Sequence, residues 1–179
     1  MNIEMKRNLI ITFFILTIPI VTFSQKFFSL ADTNFEVGQI YRTDFTFGLS
    51  YPIIFNSYPK LDSIIDFLTR NPTISVEIGV NTDFRGNDIF NDTLSTFRAE
   101  SIYRHLVSRS IDKNRITFKG YGERNPVIVT SDLHEKYPFL TIGQILTETY
   151  IKSLQNIEYQ EIANEINRRV ELKIIKTWL

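Results

Sequence analysis

Asn81-Thr82-Asp83-Phe84-Arg85-Gly86, followed by Asn91-Asp92-Thr93-Leu94-Ser95-Thr96-Phe97-Arg98-Ala99, is the stretch from which the rest of the chain can be placed. Ile74, Val76 and Ile78 alternate ahead of it, the period of a half-buried strand. That strand runs into a Gly-containing loop carrying Asp83, and the apolar spacing beyond it is helical. Arg98, fifteen positions after Asp83, is expected one turn into that helix, so both side chains can face one cleft. Such a pair suits a zwitterion. A carboxylate accepts from an ammonium, and a guanidinium offers a planar donor fork to a carboxylate. Taken alone, an Asp in a loop and an Arg on a helix form a surface ion pair of little energetic weight.

Working outward, Leu61, Ile64, Ile65 and Leu68 fall at i, i+3, i+4 and i+7, a helix face that stops at Asn71-Pro72 because proline disfavours helical geometry in the residue before it. Phe35 to Phe47 reads as a strand after an irregular lead-in over 25–34. Ala99, Ile102, Tyr103, Leu106 and Val107 form the apolar stripe of the helix that carries Arg98. Ile116 and Phe118 mark a strand ending at Gly120-Tyr121-Gly122, and Val170, Leu172 and Ile174 mark the last. Between them, Thr141-Ile142-Gly143-Gln144 fits a capping box ahead of an amphipathic stripe running to Leu154, and a second short helix is expected from Tyr159 to Ile166. The expected fold class is α+β: strand, helix, strand, helix, strand, a helical insertion over about 130–164, strand, with helices packed on one face of a mixed sheet. The insertion reads either as a cover for a flank of the sheet or as a docking surface for a partner.

Four ordered motifs, Thr82-Asp83, Asn91 to Ala99, Gly120-Tyr121-Gly122-Glu123 to Pro126, and Asn167-Arg168-Arg169, resemble the OmpA-like peptidoglycan-binding domain. Outer-membrane protein A, the peptidoglycan-associated lipoprotein and flagellar stator B subunits share that domain. The resemblance implies that Asp83 and Arg98 hold the diaminopimelate of a peptidoglycan stem peptide through its amino and carboxylate groups. It also implies that Asn81, Thr82 and Phe84 help line the pocket, and that Asn167 and Arg168 stand beside it at the start of the final strand. Leu94 is expected beneath the pocket and Asn91 as a tether of the loop. Alternation along a strand sends Arg168 and Arg169 to opposite faces, and Arg168 is assigned to the cleft. Arg85 and Arg124 read as solvated loop residues. Where many family members have Gly-His before Thr-Asp, this chain has Val80-Asn81. A β-branched Val80 would resist a positive φ if the loop turned there.

Lys6-Arg7, the apolar run Leu9 to Phe23 and the small residues Thr22 and Ser24 have the form of a signal peptide. The run is shorter than the roughly 20 residues of a membrane-spanning helix. Cleavage is expected before Gln25, leaving one domain over 35–179 behind the lead-in, in the periplasm and associated with cell wall or outer membrane. An uncleaved N-terminal anchor is the rival reading. The chain contains no cysteine, so its stability must come from its core. The whole chain carries 20 basic and 20 acidic residues, and residues 25–179 carry 18 against 19, which lacks the basic excess of a nucleic-acid binder. His105 and His134 stand apart from the motifs, and neither a metal-ligand spacing nor a nucleophile elbow or phosphate loop is present. The reading is therefore a non-catalytic, cofactor-free tether to peptidoglycan. The alternative is a scaffold of the same fold that has lost its ligand and docks a partner through the insertion.

Overall fold

The computed structural model describes residues 25–43, 45 and 57–178. The signal-like segment over 1–24 lies outside them, as do residues 44, 46 and 47 of the expected first strand. The elements run β1 (Ile40–Thr43), α1 (Tyr58–Arg70), β2 (Ile74–Asn81), α2 (Asp88–Ser108), β3 (Ile116–Gly122), α3 (Ser131–Lys136), α4 (Glu148–Ser153), α5 (Ile157–Asn167) and β4 (Arg169–Thr177). The sheet order is β1-β4-β2-β3. β2 and β3 are parallel, joined by α2, while β4 lies antiparallel to both β1 and β2. This is the expected α+β class with a mixed sheet.

One face of the sheet meets the helices. Val76 pairs with Ile174, Ile78 with Leu172 and Val80 with Val170, and these residues join Leu61, Ile64, Phe67 and Leu68 of α1 and Ala99, Ile102 and Leu106 of α2 in one buried cluster. Phe67 takes the fully buried place that the helical spacing assigned to Ile65, which is only partly covered. β2 is buried along nearly its whole length rather than on one face. Its second face is covered too, because the Tyr121 ring lies over Gly79 and the Tyr121 hydroxyl donates to Glu77 at 2.6 Å.

The first strand starts later than its aromatic-rich sequence suggests. Residues 35–39 turn instead, with Gly38 at φ +94, and the ladder begins at Ile40. The lead-in is nevertheless part of the core. Phe28 donates its backbone N–H to the Ile40 carbonyl, and its ring stacks on Phe67 with centroids 5.4 Å apart.

The insertion differs most from the expectation. No helix starts at Thr141, because 143–146 pairs with 127–129: Gly143 N–H donates to Val129, Val129 N–H to Gln144 and Leu146 N–H to Val127, each at 2.8 Å. That extended pairing and the positive φ of Gly143 stop a helix from passing through. Helix α4 begins only at Glu148, behind Thr147, whose hydroxyl accepts from Tyr150 N–H. Helix α3 was not expected at all. Together α3, α4 and α5 enclose a second apolar cluster of Val127, Val129, Leu140, Leu146, Ile151 and Ala163.

Candidate functional site

The end of β2, the start of β4 and the insertion meet at one end of the sheet. A register shift between Val80 and Asn81 breaks the ladder there and ends the strand in the Thr82-Asp83 loop. Val80 is an ordinary strand residue, fully buried and absent from the positive-φ positions, so its β-branch strains nothing. The loop's positive φ falls instead on Gly86. Asn91 ties the loop to α2, its side-chain N–H donating to the Asp83 carbonyl at 3.2 Å and to Glu123 at 2.5 Å.

Helix α2 starts at Asp88, capped by the Asn87 side chain accepting from Phe90 N–H. Arg98 therefore lies about three turns into the helix, not one. The helix packs on β3 without a gap. A Cβ at Gly120 would stand 2.3 Å from the Thr96 backbone nitrogen, so that position admits only glycine.

A groove of about 670 Å³ opens at this end of the sheet, with Asn81, Arg98 and Arg168 in its lining. Lys136 and Tyr137 of α3 and Glu165 of α5 form the wall that the insertion contributes. Arg42, Arg98, Lys136, Arg168 and Arg169 are positive and only Glu165 in the lining is negative, so the groove prefers anions. The Asn81 side chain is buried with both its oxygen and its nitrogen lacking a hydrogen-bond partner, and the Thr82 hydroxyl is buried in the same condition. An unmet buried polar group costs about 1 to 3 kcal/mol, and the Asn81 amide carries two such atoms in the lining of the groove. Burial and the neighbouring charge of Arg168 lower the pKa of Arg98, and Asp83 opposes them, so Arg98 stands electrostatically between the two.

Asp83 is 5% exposed. Its Oδ1 accepts from Arg85 N–H at 2.9 Å, and its Oδ2 accepts from the Arg85 side chain at 2.6 and 3.1 Å and from Arg168 at 2.5 Å. Burial pushes the carboxyl upward, but hydrogen bonds from Arg85 and Arg168 outweigh it and hold the pKa below the usual range. Glu161 of α5 then receives Arg85 at 2.8 Å and Arg168 at 2.9 Å, closing a ring of two carboxylates and two guanidiniums.

The structure thus places Asn81, Arg98 and Arg168 in the groove lining and joins Asp83, which lies outside that lining, to it through Arg168, with Thr82 buried between Asn81 and Asp83. It does not bring the other expected residues there. Asn167 ends α5 rather than opening β4, and its buried amide accepts from Val127 N–H at 2.9 Å and donates to the Leu146 carbonyl at 2.8 Å, bracing the base of the insertion. Phe84 packs against the insertion's apolar cluster, with Lys152 over its ring. Leu94 is half-buried on α2 and is not part of the groove lining. Arg169, which strand alternation sent away from the cleft, does line the groove, because Arg168 caps α5 rather than standing in β4; it is buried there against Glu171 at 2.8 Å.

Arg85 and Glu161 were missed by the sequence reading. The Asp-x-Arg spacing of an Asx turn was a signal for Arg85. Glu161, Glu165 and Arg168 stand at i, i+4 and i+7, which placed them on one side of α5. Among the described residues no group of three or more His, Asp or Glu is arranged to hold a metal ion, and no helix is long and apolar enough to cross a membrane.

Residues 50–137 match the model of the OmpA family. Over 72 residues the chain is 39% identical to outer membrane porin F of Pseudomonas fluorescens, a match covering 40% of this chain and 22% of that protein. The peptidoglycan-associated lipoprotein of Haemophilus influenzae is 27% identical over 106 residues, 59% of this chain and 66% of the lipoprotein. The chain therefore spans about a fifth of the porin and just under two thirds of the lipoprotein. The crystal structure of the peptidoglycan-associated lipoprotein from Burkholderia pseudomallei has the same fold, with a TM-score of 0.51 and 22% identity over 74% of this chain and 88% of that one.

Proposed function

We propose that this chain, which belongs to the OmpA-like family, binds peptidoglycan without catalysis and tethers an envelope component to the cell wall from the periplasm, its first 24 residues serving as the export signal. The ligand is the diaminopimelate of the stem peptide. Its carboxylate meets Arg98, its ammonium meets Asp83, and the amide of Asn81 can serve either group. One observation carries the reading: the unmet Asn81 amide lies buried in the lining of a groove that carries five basic residues against one acidic residue, with the unmet Thr82 hydroxyl next to it in the chain. A zwitterion attached to an acidic peptide satisfies both features. The printed name of the Haemophilus influenzae relative, a peptidoglycan-associated lipoprotein, supports the same ligand class.

Retention on purified sacculi is the test. Truncating one partner of a desolvated charge pair costs about 2 to 5 kcal/mol, so Arg98→Ala is expected to weaken retention roughly thirtyfold or more. Asp83→Asn should do the same, but Asp83 is buried and pairs two arginines, so this variant also loses stability and is assayed alongside its circular dichroism. Walls with lysine in place of diaminopimelate should bind less, since lysine lacks the distal carboxylate. Equal retention of wild type and Arg98→Ala, with both folded, would falsify the site.

A second reading has its own support. Asp83 is already engaged by two guanidiniums, and the insertion exposes Ile142, Ile145, Ile157 and Tyr159. A scaffold that docks another envelope protein through 130–164 fits those facts. Absence of wild-type retention on sacculi would favour it.

A further inference from the structure

Glu161 lies outside the family motifs quoted above, on the last helix of the insertion, yet it touches both arginines that occupy Asp83. Arg85 Nη1 donates to Glu161 Oε2 at 2.8 Å, Arg85 Nη2 reaches Oε1 at 3.3 Å, and Arg168 Nη2 donates to Oε1 at 2.9 Å. On the other side both guanidiniums donate to Asp83 Oδ2, which thereby receives three N–H groups. An incoming ammonium meets an acceptor that is already saturated and two positive charges in front of it.

The two arginines are not equally movable. Arg168 follows directly on Asn167 at the end of α5, its backbone N–H bonded to Asn164, and its side chain is 31% exposed. Arg85 projects from the loop with its side chain 50% exposed, so it has water to move into when a ligand ammonium takes its place on Asp83. Its outward position lacks the Glu161 bridge, and its inward position has it.

We propose that Glu161 is a positioning residue through which the insertion governs access to Asp83: by bridging Arg85 to Arg168 it holds Arg85 over the carboxylate, and release of Glu161 opens the site to a ligand ammonium. This rests on the peptidoglycan reading of the site. It makes the insertion a regulator of ligand binding, because withdrawal of Glu161 leaves the Arg85 side chain held by Asp83 alone, the carboxylate for which a ligand ammonium competes. The charged groups facing Asp83 are Arg85 from its own loop, Arg168 from the end of α5 and Arg98 from α2, with Glu161 and Glu165 behind Arg168.

The experiment compares wild type, Glu161→Gln, Arg85→Ala and the double variant, each shown to be folded, by two readouts. In the unliganded protein the Asp83 carboxyl is titrated by NMR. Because Arg85 helps hold its pKa down against burial, Arg85→Ala should raise that pKa, and Glu161→Gln should move it the same way by less, since removing the negative charge of Glu161 acts in the opposite direction. On purified sacculi Glu161→Gln should bind up to roughly fivefold more tightly, the scale of one partly exposed ion pair. Arg85→Ala should bind more tightly too, and adding Glu161→Gln to it should change little, since Glu161 acts through Arg85. An unchanged Asp83 titration, or weaker binding by Glu161→Gln, overturns the proposal and leaves Glu161 as either a surface partner or a direct ligand contact. If the Asp83 titration moves as expected while no variant binds sacculi, the bridge exists but the peptidoglycan reading fails, and the regulatory role falls with it.

Discussion

At the scale of single residues, the parts of the site that were legible are those with short-range signatures. Asp83 follows an alternating strand, and Arg98 lies beside a helical stripe, so chain spacing alone put them at one end of the sheet. What spacing could not give is who occupies Asp83, since Glu161 is 78 positions away and its pairing with Arg85 depends on how the insertion folds. Gly120 illustrates the opposite case, a residue whose identity is dictated by a backbone approaching from elsewhere. Adding a methyl group places it 2.3 Å from the Thr96 nitrogen and 2.6 Å from the Ser95 hydroxyl, both on the rigid helix α2. Gly120→Ala is therefore expected to force α2 and β3 apart and to destabilise the domain by about 1 to 3 kcal/mol or more. Urea unfolding measures this directly, and a midpoint equal to that of wild type would mean that the contact relaxes without cost.

Among the elements, α1, β2, α2, β3 and β4 could be read from periodicity because each buries one clear stripe against one core. The insertion could not. Ile142, Ile145, Leu146, Thr149 and Tyr150 satisfy a helical period by count, yet Leu146 is buried through an extended segment while Ile142 and Ile145 are exposed. Periodicity does not separate a strand of mixed exposure from a helix when a glycine with positive φ sits inside it. The segment is held to its partner at 127–129 by backbone bonds and by one side chain, Asn167, which serves both strands. Asn167→Ala leaves the Val127 N–H and the Leu146 carbonyl buried without that partner, at about 1 to 3 kcal/mol for each unmet group. Hydrogen exchange should then quicken across 127–146, with protection of β2 and β4 retained in their central residues. Uniform acceleration across the whole domain would instead mean that the insertion and the sheet unfold as one unit.

For the molecule as a whole, electrostatics rather than apolar burial sets the response to acid. Besides the exposed Glu36, three carboxyls among the described residues are held below their ordinary pKa although burial pushes each upward: Asp83 by hydrogen bonds from Arg85 and Arg168, Glu161 by Arg168 and Arg85, and Glu171 by Arg169 and Arg42. A depressed pKa in the folded state means that the unfolded chain binds the proton first as pH falls. These groups therefore contribute stability that is complete above the ordinary carboxyl range, near pH 5, and is lost progressively as pH falls through about 4 and below. The Glu161 share is small, because its side chain is 46% exposed and solvent screens it. Asp83 and Glu171 dominate, with side chains 7% and 12% exposed. Thermal unfolding should accordingly give a midpoint that declines only slightly from about pH 7 to 5, where burial and Arg109 hold the His105 imidazole below its ordinary pKa, and drops steeply between about pH 4.5 and 3. Asp83→Asn should lower the midpoint at neutral pH and flatten part of that acid limb, since the variant has already lost what protonation removes. The gap between wild type and variant must then narrow as the pH falls. A gap that stays constant down to about pH 3 would show that the variant's instability comes from lost packing at the loop, and that the arginines around Asp83 do not tie folding to its charge.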